Sequence, residues 1–297
     1  MKYLLIMIAC LFWGGSFVAT RYALTAGGLG VFTLLAGRLL IASLILILLM
    51  LIRGWRKLNG KDLLRLLAMG IIYPGLYFLF ETTGLARIPA FFASIIIASI
   101  PALTGIIAHV FLKERMGLRG WGGTFLSVIG VALVVLLADR EVAATGQQAP
   151  TPVIGVLLTS GAAIMGAVYI TLARHLTRSY QPLTLTTAQS IIGLLLFLPM
   201  ASLELARGQF YFNLWGLIAL GFLGIAVSVA GFLSFNKALS MIEASKASLF
   251  LNIIPVISIV LGWFLLGERM NPGQGIGALV VIGGVLLATW IPKNRTG

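Results

Sequence analysis

Leu85-Ala-Arg-Ile-Pro-Ala-Phe-Phe-Ala-Ser94 and Leu239-Ser-Met-Ile-Glu-Ala-Ser-Lys-Ala-Ser248 read as two copies of one stretch. At an offset of 154 residues, Leu85 pairs with Leu239, Ile88 with Ile242, Ala90 with Ala244, Ala93 with Ala247 and Ser94 with Ser248. The same offset carries Pro101 onto Pro255, Glu114-Arg115-Met116 onto Glu268-Arg269-Met270, Gly123 onto Gly277, and Gly130-Val131 onto Gly284-Val285. A register held over about 50 residues marks an internal repeat, so the chain is built from two related halves.

What surrounds the repeat decides its setting. The 297 residues are 60% hydrophobic and 10% charged, with a mean hydropathy of +1.06. A soluble domain carries roughly 25% charged residues, and this chain has too little polar surface to cover itself in water. Ten segments meet the requirement of about 20 mostly apolar residues for a membrane helix. They run near 3–22, 31–52, 63–82, 89–112, 119–138, 153–174, 182–203, 213–236, 245–267 and 273–291. The polar stretch 139–152, with Gly146, Pro150 and Pro152, reads as a linker. Residues 1–138 then form the first half, 153–291 the second, and 292–297 a short tail. The first apolar run lacks a small-residue cleavage site and reads as a retained helix rather than a signal peptide.

The net charge of +13 comes from short basic clusters between apolar runs, which argues against nucleic acid as a partner. With the N-terminus in the cytoplasm, 15 Lys and Arg fall on the inner side, 5 on the outer side, and Arg38 within a span. The positive-inside rule therefore places both termini in the cytoplasm of a bacterial-type inner membrane. Since each half has five helices, the second half enters from the opposite side. The expected fold is an all-α membrane protein of ten transmembrane helices in two inverted five-helix repeats, an arrangement common in secondary transporters.

Trp13-Gly14, Arg38 and the doubled Ala-x-x-Ala-Ser…Pro…Glu-Arg-Met pattern resemble the EamA-type domain of the drug/metabolite transporter superfamily, once per half and over nearly the whole chain. The resemblance implies ten helices, with helices 1, 3, 4, 6, 8 and 9 around a central cavity and helix 2 at the periphery. It implies transport of amino acids, nucleotide sugars, cationic drugs or other metabolites, and export as the direction. Amino-acid exporters of the YddG type are the members the chain looks most like.

The candidate site residues follow from polar or aromatic groups inside the spans. Tyr73, Tyr77 and Glu81 are spaced i, i+4, i+8 and form one stripe of helix 3. A carboxylate within a span is costly; Glu81 either faces the cavity, where it binds an ammonium group or a proton, or is solvated or paired with Arg87 at the interface. Trp13 and Phe17 on helix 1, and Tyr169 on the equivalent helix 6, are candidate cavity rings able to stack on an apolar or cationic substrate. Pro101 and Pro255 fall inside helices 4 and 9, as matched kinks or hinges. Ser94 and Ser248, about two turns before them, together with Asn252 and with Ser228 on helix 8, complete the candidate set. Arg38 could meet a substrate carboxylate, but the peripheral place that the resemblance gives helix 2 favours a packing or snorkelling role. His109 reads as a proton relay or, one turn from Lys113, as an interfacial residue, and Gln189 and Asn236 read as interhelical hydrogen-bonding groups. The glycines Gly221, Gly224 and Gly231 read as close-approach points of helix 8, and Gly277, Gly283 and Gly284 as those of helix 10.

The sequence contains no phosphate-binding loop, no nucleophile–base set and no zinc-type Cys/His spacing. An enzyme, a cofactor or a bound metal is therefore not expected; a membrane-embedded enzyme or structural membrane protein is the alternative reading. The expectation is a secondary transporter or facilitator that exports small metabolites, amino acids or organic cations, by alternating access. Its partners are the small-molecule substrate, the lipid bilayer and a proton as candidate coupling ion, with the oligomeric state left open.

Overall fold

The structure, a computed structural model, describes residues 1–53, 60–112, 118–119, 121–123, 125–126, 128–130, 132–133, 152–177, 179–208, 211, 213–242, 247 and 250–289. Ser248, Lys246, linker residues 139–151, the C-terminal tail and Glu114-Arg115-Met116 lie outside the described residues. Among the described residues every regular element is helical. Seven helices are long and apolar enough to cross a membrane. These are helix 1 (Lys2–Thr25), helix 2 (Val31–Arg53), helix 3 (Gly60–Leu85), helix 4 (Ala90–Ile107), helix 6 (Val153–Leu176), helix 7 (Pro182–Ala206) and helix 8 (Leu214–Leu239). Helix 9 (Ile253–Leu266) and helix 10 (Pro272–Thr289) follow, and helix 5 is described in part between 118 and 133.

The bundle is apolar outside and mixed inside, the reverse of a soluble protein. Leu40, Leu44 and Leu48 are 46%, 62% and 59% exposed along one face of helix 2, whereas Arg38, Ser43 and Thr33 are buried on the other. An outer surface of this kind is suited to acyl chains. Hydroxyls within the spans bond mainly to their own helix: Thr104 to the Ile100 carbonyl, Thr159 to Gly155, Thr186 to Pro182 and Thr187 to Leu183. They are satisfied without water.

Helix packing follows the repeat. Helix 1 packs on helices 8 and 9 of the other half, as helix 6 packs on helices 3 and 4, and helix 2 runs along helix 7. Exchanging the two halves reproduces this pattern. Close approach uses small residues: a Cβ on Gly224 would lie 2.8 Å from Ile41 of helix 2, and one on Gly130 would lie 2.5 Å from the Val281 nitrogen of helix 10. Gly221 and Gly283 face open space instead, so they set no such contact.

Charged side chains at both ends of the bundle satisfy helix termini. Arg21 donates to the Leu85 carbonyl at the end of helix 3 (2.8 Å), and its equivalent Arg174, at the opposite end, donates to the Leu239 carbonyl at the end of helix 8 (2.8 Å). Glu204 of helix 7 accepts from the Phe32 and Thr33 amides and the Thr33 hydroxyl at the start of helix 2 (3.2, 2.7 and 2.8 Å). Glu268, just past helix 9, accepts from the Ala90 and Phe91 amides at the start of helix 4 (2.9 and 3.3 Å). Each carboxylate sits where a helix has unpaired N–H groups and a positive dipole end. Both reach from the second half to the first. Asn213 and Tyr211 add bonds to the Ala26 carbonyl at the same end.

Replacing Glu204 by Ala removes three accepted hydrogen bonds. It is expected to cost about 1–2 kcal/mol and to lower the thermal midpoint of the detergent-purified protein by roughly 2–4 °C. Arg207→Ala, an exposed change one turn further along, is expected to leave the midpoint in place; equal effects of the two would remove the capping role from Glu204.

Candidate functional site

Helix 3 is not one continuous helix. Pro74 disfavours the helical region for the residue before it, and Tyr73 adopts φ −144° and ψ 112°. The helix breaks there, widens over Ile71–Leu76 and resumes at Tyr77. Helix 8 widens in the corresponding place, over Leu223–Gly231. The break exposes the Tyr73 carbonyl, and Gln189 of helix 7 donates its Nε2–H to it (3.0 Å). Gln189 is held in turn by Asn236, whose Nδ2 donates to the Thr186 hydroxyl (3.0 Å) and to Gln189 Oε1 (3.4 Å) and whose Oδ1 accepts from the Tyr169 hydroxyl (2.9 Å). A buried polar chain therefore runs from helix 6 through helices 8 and 7 to the break in helix 3.

The matched prolines Pro101 and Pro255 mark interruptions rather than bends within continuous helices. Helix 4 is interrupted at Ala98–Ser99 and restarts at Ile100, so Pro101 sits in the first turn of the new segment. Pro255 sits likewise in the first turn of helix 9, after Asn252. In a first turn the missing N–H of proline costs no hydrogen bond. The prolines thus start segments rather than bend continuous helices, and Tyr73–Pro74 adds a further mid-span break in helix 3.

A cavity of about 40 Å³ lies between the halves, lined by helices 1, 2, 3, 4, 6, 8 and 9. Of the sequence candidates it brings together Trp13, Phe17, Tyr73, Tyr77, Glu81 and Tyr169. Tyr73 stacks between Tyr77 and Tyr169, with ring centroids 4.2 and 4.4 Å away, and Trp13 packs on Phe235 and Phe232 at 4.8 and 5.1 Å. The Tyr73–Tyr77–Glu81 stripe therefore persists across the helix break. Glu81 is 5% exposed and accepts from the Tyr77 hydroxyl (3.1 Å). Arg87 turns away, donating to the Thr83 carbonyl (2.6 Å).

Arg38, set at the periphery by the resemblance, is instead 1% exposed and lines this cavity. Its Nε donates to the Ser228 hydroxyl (3.1 Å), its guanidinium carbon lies 4.2 Å from the Phe78 ring centroid, and its Nη2 has no hydrogen-bond partner. The signal was present as a charge inside a span; only the assumed position of helix 2 argued against it. Ser228 thus acts through Arg38, beside a smaller pocket of about 10 Å³ behind Tyr73. Ser94 is buried off the cavity and donates to the Phe91 carbonyl (2.7 Å). Asn252 is half-buried at the start of helix 9, outside the cavity lining. The His109 side chain is outside the described residues. Among the described residues, no three His, Cys, Asp or Glu side chains converge as a metal site would need.

A family model described as the EamA-like transporter family matches residues 1–136 and again 153–290. A protein of Bacillus subtilis (strain 168) named uncharacterized transporter YyaM is 30% identical over 99% of this chain and 96% of its own length. An uncharacterized transporter of Archaeoglobus fulgidus is 27% identical over 96% of this chain and 98% of its own. A probable terminal-alkyne amino-acid exporter of Streptantibioticus cattleyicolor is 26% identical over 93% of this chain and 89% of its own. A solved crystal structure superposes with a TM-score of 0.65 at 21% identity, covering 97% of this chain and 96% of that one, and so shares the fold.

Gln189→Leu leaves the Tyr73 carbonyl unpaired. An unsatisfied buried group costs about 1–3 kcal/mol, so the thermal midpoint is expected to fall measurably. Thr187→Val, two residues earlier, removes a hydroxyl bonded only within its own helix and is expected to shift the midpoint far less. Equal shifts would show that the Gln189 bridge does not support the break.

Proposed function

The chain belongs to the EamA-like transporter family, and from that premise we propose that it exports small metabolites, amino acids or organic cations, across the bacterial inner membrane by alternating access. The observation that carries the reading is the cavity between the halves with the buried Glu81 carboxylate in its wall. A free space of about 40 Å³ holds water but no metabolite, so binding needs the halves to part. Two features support such a movement: the broken third helix, and the matching widened stretch of helix 8. Discontinuous helices in equivalent places are where transporters build midplane sites.

Orientation gives the cross-half contacts a role. With both termini in the cytoplasm, the end tied by Glu204, Glu268 and Asn213 is the outer end. Those contacts would hold the carrier shut toward the outside and would be exchanged when it opens outward. Helices 3–4 and 8–9 would rock about their interruptions as it does so. The name of the Streptantibioticus relative, a probable amino-acid exporter, favours amino acids within the proposed class.

Glu81 supplies a route to coupling. One buried carboxylate can hold a proton or a substrate ammonium, not both, because either satisfies its charge. Alternate occupancy exchanges a proton for substrate, which makes the carrier a proton-linked antiporter.

The test is flux into proteoliposomes for a panel of amino acids and organic cations, with and without a pH gradient. Wild type is expected to accumulate at least one panel member and to be accelerated by the gradient. Glu81→Gln is expected to lose that acceleration by about tenfold or more, the loss of one charged hydrogen-bonding partner. Flux that follows the substrate gradient alone, unchanged in the variant, would make the protein a facilitator and Glu81 a bystander; no flux of any panel member would count against the transport reading itself.

A further inference from the structure

The cavity carries more than one charge, and its unpaired groups are donors. Arg38 buries a guanidinium whose hydrogen bond to Ser228 engages a neutral hydroxyl and leaves Nη2 without a partner. Trp13 lines the same cavity, and its indole N–H, beside Gly231 of helix 8, is also buried without a partner. Buried polar groups are nearly always paired, and a buried guanidinium is costly unless something anionic meets it. Two unpaired donors on one small cavity therefore point to an acceptor-rich guest. On the same cavity lies Glu81, an acceptor served by the single hydroxyl of Tyr77. The rest of the wall is aromatic and aliphatic, from Phe17, Phe232 and Ile254 among others.

We infer that Arg38 and the Trp13 indole N–H bind the carboxylate of a zwitterionic substrate whose ammonium group is held by Glu81, so that the site selects α-amino acids with apolar side chains over amines and over acids. The inference rests on the transporter reading of the same cavity and decides between the two substrate classes that reading leaves together. The planar fork of arginine matches a carboxylate with two parallel N–H bonds, and an indole N–H can add a third to the same group. An organic cation satisfies Glu81 but leaves a guanidinium buried against it; a simple acid does the converse. A zwitterion neutralises both charges without adding any, which is the least costly guest for a buried cavity holding one charge of each sign. The apolar wall then takes the side chain. Arg38 therefore does more than brace helix 2 against helix 8, because a bracing role explains the Ser228 bond and not the free end.

The experiment is titration calorimetry on the purified full-length protein with L-phenylalanine, phenethylamine and 3-phenylpropanoate, which share one ring and differ only in the charged groups. A second trio of L-leucine, isoamylamine and 4-methylpentanoate covers a different side-chain shape. In at least one trio the amino acid is expected to bind at least about tenfold more tightly than the amine or the acid, the loss of one charge-assisted contact. Arg38→Gln is expected to bring amino acid and amine to equal affinity, and Trp13→Phe, which keeps the ring and removes the N–H, to narrow the gap while leaving the amine unchanged. An amine that binds as tightly as its amino acid in both trios overturns the inference, as does preference kept intact in Trp13→Phe and Arg38→Gln. Should Arg38→Gln fail to fold, the wild-type trios and Trp13→Phe decide the matter alone. If proteoliposome flux is found for organic cations while neither amino acid binds, the inference fails and the transporter reading stands; absence of flux for the whole panel removes the reading instead.

Discussion

In a hydrocarbon environment every backbone polar group has to find its partner inside the protein, and the shape of this bundle follows from how it meets that demand. Unbroken helices meet it alone. Helix 3 cannot, because Pro74 drives Tyr73 out of helical geometry and frees a carbonyl at the centre of the bundle. The Gln189 amide answers that carbonyl, and Asn236, Thr186 and Tyr169 hold the amide in turn. Once the break is satisfied from behind, Tyr73 can present its ring to the cavity between Tyr77 and Tyr169. The same demand operates at the helix ends, where Arg21, Arg174, Glu204 and Glu268 take up terminal carbonyls and amides.

The repeat, the apolar runs and the distribution of Lys and Arg are long-range patterns with large signals, and they made the membrane class and the helix order legible. Trp13, Tyr77, Glu81 and Tyr169 were also legible, because a ring or charge at helical spacing within a span has few places to go. Arg38 was harder: its burial depends on how helix 2 leans on helix 8, through contacts such as Gly224 against Ile41, and pairwise lean is not written in periodicity. Pro101 and Pro255 are conspicuous because they repeat, whereas Pro74 lies within a run that reads as one span.

Ser94 and Ser228 illustrate a further limit. Both are small hydroxyls in apolar helices, yet Ser94 spends its proton on the Phe91 carbonyl while Ser228 orients a guanidinium. The difference lies in whether a charged neighbour from another helix comes within reach, which only the assembled bundle decides. Apolar lining such as Phe232 and Ile254 was likewise unremarkable in sequence; these residues matter to the cavity through position rather than type.

The Glu204 clasp has a direction. Glu204 belongs to the second half and grips the first, while the last six residues of helix 2, Leu48 to Arg53, include no acid to return the grip. Two identical copies of the first half would therefore lack this joint, although the shared fold would let them meet. The acid on helix 7 marks the halves as specialised for one another at this joint. Fusion into one chain is what allows such a one-way fastening, since it guarantees that each half always meets its unlike partner.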